Sequence, residues 1–84
     1  MILLPVQCRM ARAALGWGVR ELAEAAKVSI DTVARFERGD ELKERTIEAM
    51  QRVLEAAGIE FIDGNGGGPG ARLSGKSKRE TRKK

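Results

Sequence analysis

The chain has 84 residues, of which 42% are hydrophobic and only 4% aromatic, so it holds one small domain with a core of Leu, Val, Ile, Ala and Met. A single cysteine excludes an internal disulfide and the lack of histidine excludes a Cys/His metal site, so no cofactor is expected. The net charge of +4 is unevenly placed: residues 1–63 carry 9 Lys/Arg and 11 Asp/Glu, whereas residues 64–84 carry 7 Lys/Arg and one Glu, so attraction to phosphates belongs first to the C-terminal end.

The opening MILLPV is too short for a signal sequence or a membrane span, and a soluble cytoplasmic protein is the default expectation. Pro5 suits the first turn of a helix, where its missing N–H is not needed, and Gly16 ends that helix after Leu15. Leu4, Cys8, Ala11 and Leu15 share one face, which makes Cys8 a small buried hydrophobe and no nucleophile, since a histidine partner is lacking. Trp17 is expected to pack beneath the corner that follows.

From Val19 to Gly39 the chain reads as two short helices joined by a tight turn. Val19, Leu22, Ala23 and Ala26 form an apolar stripe, and Ala23 is small where two steeply crossing helices nearly touch. Ser29 sits where an N-cap belongs, Val33 and Phe36 face inward, and Gly39 can turn left-handed past the end. This is the pattern of a helix-turn-helix, with the second helix over Ile30 to Arg38.

Glu21-Leu22-Ala23, Val28-Ser29 and Arg35-Phe36-Glu37-Arg38-Gly39 together resemble the Cro/C1-type (Xre) helix-turn-helix family of prokaryotic and phage transcriptional regulators, over about Cys8 to Gly58. The resemblance implies that the helix from Ile30 to Arg38 enters the major groove of double-stranded DNA with its N-terminal residues at base edges. Arg35 has the fork for guanine O6 and N7, Asp31 an acceptor for cytosine N4, and Ile30 and Thr32 methyl groups for thymine. Arg20, Ser29, Arg38, Lys43 and Arg45 are the candidate phosphate contacts. The resemblance further implies a structural bridge from Arg12 to Glu37, the alternative being two solvated charges. Three positions depart from the family: Gly18 replaces a polar cap, Val19 replaces a phosphate-binding glutamine, and Lys27 stands where the turn prefers glycine.

Asp40-Glu41-Leu42-Lys43-Glu44-Arg45 is acidic for a DNA-facing connection. Thr46 is expected to cap a fourth helix whose stripe is Ile47, Met50, Val53 and Leu54, and which Gly58 ends. Ile59 to Ile62 has strand character where the family has a fifth helix, and Ala71 to Leu73 can return beside it as a hairpin. One hairpin is marginal alone, so Ile59, Phe61 and Ile62 are candidate dimer contacts through a strand edge. Gly70 to Ser77, GARLSGKS, spells a nucleotide phosphate loop, but a Gly/Pro stretch leads into it and only seven residues follow, so no nucleotide is expected.

These readings give an all-α fold: a helix-turn-helix bundle of about four helices (1–58), a short strand or hairpin (59–73) and a disordered basic tail (74–84). The function they favour is a sequence-specific DNA-binding transcriptional regulator, a homodimer on a palindromic operator, in the prokaryotic cytoplasm and nucleoid. The competing reading is a protein-binding module, an antagonist or co-regulator of a second regulatory protein. With no histidine, no tyrosine and no paired carboxylates in a recognisable pocket, an enzyme is not expected.

Overall fold

A computed structural model describes residues 2–64 and 66–74, so most of the basic tail lies outside the described residues. Four helices come first: α1 (Pro5–Leu15), α2 (Val19–Ala26), α3 (Ile30–Glu37) and α4 (Glu44–Ala56). Two strands follow, β1 (Ile59–Ile62) and β2 (Gly70–Leu73), which pair antiparallel with Ile59 opposite Leu73 and Ile62 opposite Gly70. The fold is therefore mainly helical, a helix-turn-helix bundle closed by a hairpin.

Three helices stop by the same device. After α1, the N–H groups of Gly16 and Trp17 donate back to the carbonyls of Ala13 and Arg12. After α2, Lys27 and Val28 donate to Glu24 and Ala23, and after α3, Gly39 and Asp40 donate to Phe36 and Arg35. Each is a paired-bond C-terminal turn with one left-handed residue, and glycine takes that place at Gly16 (φ 72°) and Gly39 (φ 101°). At Lys27 (φ 61°) a side chain occupies it, the only such non-glycine residue among those described.

The core gathers Leu3, Cys8, Ala11, Leu22, Ala23, Ala26, Val33, Phe36, Met50, Leu54 and Ile59, with Trp17 half-buried against it. It draws on all four helices and on β1, so the hairpin shares the core and does not stand apart from it. Leu22, Met50 and Leu54 are fully enclosed, and removing any one to alanine should cost about 2–5 kcal/mol.

Several expectations need correction. Leu4 is not on the buried face: it is the N-cap of α1, in extended backbone and exposed, and Leu3 enters the core in its place. Helical periodicity fails there because the chain is not yet helical. Thr46 does not cap α4, which begins at Glu44 after Lys43, leaving Thr46 in the first turn. Of the candidate dimer residues, Ile59 is 3% exposed and Phe61 packs half-buried against the same core. Alternate residues of a strand point to opposite faces, so the pair facing α1 and α4 is already used and Ile62 alone of the three stays exposed. The first four residues of the phosphate-loop pattern are β2 itself, an antiparallel strand and not a loop.

Candidate nucleic-acid interface

α3 has two sides with different tasks. Its inward side is set by Val33 and Phe36, buried against α1 and α2, and is fastened to α1 through Glu37. The Arg12 guanidinium meets the Glu37 carboxylate with two parallel bonds, Nε to Oε2 at 2.7 Å and Nη2 to Oε1 at 2.8 Å. Its remaining Nη1 donates to the Trp17 carbonyl at 3.1 Å, so one side chain ties α1, the corner and α3 together. Cys8 Sγ donates to Glu37 Oε2 at 3.1 Å, and Arg9 caps the Glu37 carbonyl.

The pair is enclosed, with the side chains 19% and 9% exposed, so these bonds carry a large share of the charge compensation. Burial pulls the Glu37 carboxyl up, but the bonds from Arg12 and Cys8 and the charges of Arg12 and Arg9 outweigh it and hold the group below the usual range. Burial and then the Glu37 bond push the Cys8 thiol far up, which leaves it a neutral donor. Cys8 is thus as buried as its spacing suggests, and also a hydrogen-bonding member of the seam, which apolar spacing does not reveal.

The outward side begins at the cap. Ser29 Oγ accepts from the Thr32 N–H at 3.0 Å and lies 2.8 Å from Thr32 Oγ1, which fixes the first turn of α3. Ile30, 44% exposed, and Asp31 are presented to solvent there, with Thr32 half-buried beside them. Arg35 follows one turn on, and its Nε lies 3.5 Å from Asp40 Oδ2. Arg38 donates from Nη2 to the same oxygen at 3.2 Å. Ile30, Asp31, Thr32 and Arg35 therefore line one helix, with Arg38 at its end.

Arg20, in the first turn of α2, and Lys43 and Arg45, at the start of α4, are exposed on neighbouring elements. The Gly18 N–H, which precedes α2, is taken by Glu21 Oε1 at 2.9 Å. A glutamate three residues in thus supplies the return half of a cap that Gly18 has no side chain to complete.

The spacing of apolar residues does not reveal the structural part played by Gln7. Gln7 is 1% exposed, accepts from the Leu4 N–H at 3.0 Å through Oε1, and donates from Nε2 to the carbonyls of Ile62 and Gly70 at 3.1 and 3.2 Å. It closes the start of α1 and holds the mouth of the hairpin. The signal was present: a Gln three residues past an N-cap position is the return arm of a capping box.

No helix among the described residues is long and apolar enough to cross a membrane, and no group of three or more metal-ligating side chains occurs among them. No curated protein matches this chain. A family model described as a helix-turn-helix domain matches residues 6–61, from the first turn of α1 into β1. Domains of that kind serve DNA-binding regulators in general and are typically not enzymes. Matched over more than half its length, on the helices that carry the seam and the exposed face of α3, the chain belongs to this helix-turn-helix domain family.

Proposed function

We propose that the protein is a sequence-specific transcriptional regulator of the Cro/C1 type that places α3 in the major groove of DNA. The observation that supports this is the division of α3: Val33, Phe36 and Glu37 anchor it, while Asp31 and Arg35 face away from the seam and Ile30 and Thr32 flank them in the first turn, with Ile30 exposed. That set holds a guanine fork, a cytosine acceptor and methyl groups for thymine. Arg20, Ser29, Arg38, Lys43 and Arg45 serve the phosphates and fix the register of the helix on the duplex.

The working form is a homodimer in the prokaryotic cytoplasm, on half-sites about 34 Å apart. Its contact is the exposed side of the hairpin at Ile62, since Ile59 belongs to the core of its own subunit. The basic tail adds charge and little sequence preference. Selection from a randomised duplex pool by the full chain tests the reading: a palindromic consensus is the expected result, and recovery of unrelated sequences contradicts it. Removing residues 75–84 should then flatten the salt dependence while keeping the consensus.

A second reading rests on two observations. Arg35 and Arg38 both lie on Asp40, and Ile30 is exposed, which suits a helix that docks on another regulatory protein. That module would yield no consensus, and Arg35→Ala would break a protein complex instead.

A further inference from the structure

One carboxylate stands over both arginines of the exposed face. The turn that ends α3 closes with the Asp40 N–H donating to the Arg35 carbonyl at 3.0 Å, which brings the Asp40 side chain back over the last turn of the helix. There its Oδ2 is 3.5 Å from Arg35 Nε and 3.2 Å from Arg38 Nη2.

The two arginines are met at different atoms. On Arg35 the carboxylate addresses Nε, the nitrogen that a guanidinium does not need when it forks end-on onto guanine through its two terminal nitrogens. This contact is an ion pair and not a directed hydrogen bond, so the carboxylate draws the guanidinium toward it from the Nε side and leaves the reading end free. On Arg38 the occupied atom is a terminal nitrogen, the kind a phosphate oxygen would take. Asp40 itself is a negative charge at the border of the face, where a phosphate bound to Arg38 would meet it.

We propose that Asp40 is a positioning residue for DNA recognition, holding Arg35 for base reading while competing with phosphate for Arg38. Its effect is to raise sequence preference and to lower affinity for DNA in general. The inference rests on the DNA-reading function above. All three side chains are between 42% and 61% exposed, so the bridges open readily when DNA arrives and cost little to break.

The test uses the full chain, as wild type, Asp40→Asn and Asp40→Glu, titrated at several salt concentrations on a duplex selected by the wild type from a randomised pool and on its scrambled counterpart. Asp40→Asn should bind the scrambled duplex about threefold tighter at low salt, the scale of one exposed charge pair. Its ratio of selected to scrambled affinity should fall about tenfold, the lower end for one guided base contact. The relaxation should fall on the base pair that Arg35→Ala also relaxes, and Asp40→Glu should restore part of the ratio. Thermal unfolding should not move, which separates positioning from a structural role. A wild-type ratio in Asp40→Asn, or equal weakening on both duplexes, overturns the proposal. If the wild type selects no sequence at all, the DNA-reading function falls and takes this inference with it, a different result from the first two.

Discussion

Glu37 and Asp40 are three residues apart, and each meets arginine, yet the two carboxylates do different things. Glu37 is 9% exposed and receives Arg12 through two bonds of 2.7–2.8 Å, with the Cys8 thiol as a third donor. Asp40 is 44% exposed, and its contacts with Arg35 and Arg38 are longer and open to water. The comparison teaches that enclosure, and not the count of charges, separates a structural bridge from one that is free to exchange partners. A buried pair cannot lose one member without stranding the other, whereas an exposed pair can exchange partners at small cost.

The sharpest way to break this contrast is to remove both acids in turn. Glu37→Ala leaves the Arg12 guanidinium enclosed without its partner and should cost about 3 kcal/mol. For a domain of this size that is a fall of more than about 10 °C in Tm, read by thermal denaturation. Asp40→Ala should stay within about 0.5 kcal/mol of wild type. Equal losses would mean that enclosure does not distinguish the two.

Gln7 offers the next largest effect. Gln7→Ala removes the donor to the carbonyls of Ile62 and Gly70 and the acceptor for the Leu4 N–H, and should cost about 2 kcal/mol. Hydrogen exchange should then quicken in β1 and β2 ahead of α2 and α3. Uniform acceleration would show that the hairpin and the helices open as one unit.

Acidity probes the seam alone. The carboxyl of Glu37 is held low in the folded protein, so its contribution is complete above the ordinary glutamate value of about 4.3 and is lost as pH falls through the folded value. Glu37→Gln should therefore flatten the acid limb of the stability profile. The Cys8 thiol is shifted up, so its contribution is present below the ordinary thiol value of about 8.5 and declines as pH rises beyond it. Cys8→Ala should remove that alkaline decline. The smallest effect belongs to the turn: Lys27→Gly relieves a left-handed side chain and should add roughly 0.5 kcal/mol, the cost of that conformation less the extra freedom of an unfolded glycine.

The helices were legible because their signals are local. Pro5, Gly16, Ser29, Gly39 and Gly58 mark ends, and the stripes of Leu22 to Ala26 and of Met50 to Leu54 mark buried faces. The Arg12–Glu37 bridge came from resemblance, since nothing in spacing joins residues 25 apart. Gln7 was overlooked because its partners Ile62 and Gly70 are more than fifty residues away, and a buried amide in a helix is indistinguishable from a solvated one until the hairpin folds over it. For the same reason Ile59 read as a free strand residue, although β1 lies against α4 and spends that side chain in the core. Asp40 read as mere opposition to phosphate; its place over Arg35 and Arg38 follows from the turn at Gly39, a backbone geometry that composition does not convey.

The most direct test of the division of α3 is one titration of wild type and Arg35→Ala on selected and scrambled duplexes, with thermal unfolding followed in parallel. Arg35 is on the exposed side, so the preference for the selected duplex should vanish while Tm holds. Preference that survives Arg35→Ala, or that is lost only together with the fold, would contradict that division.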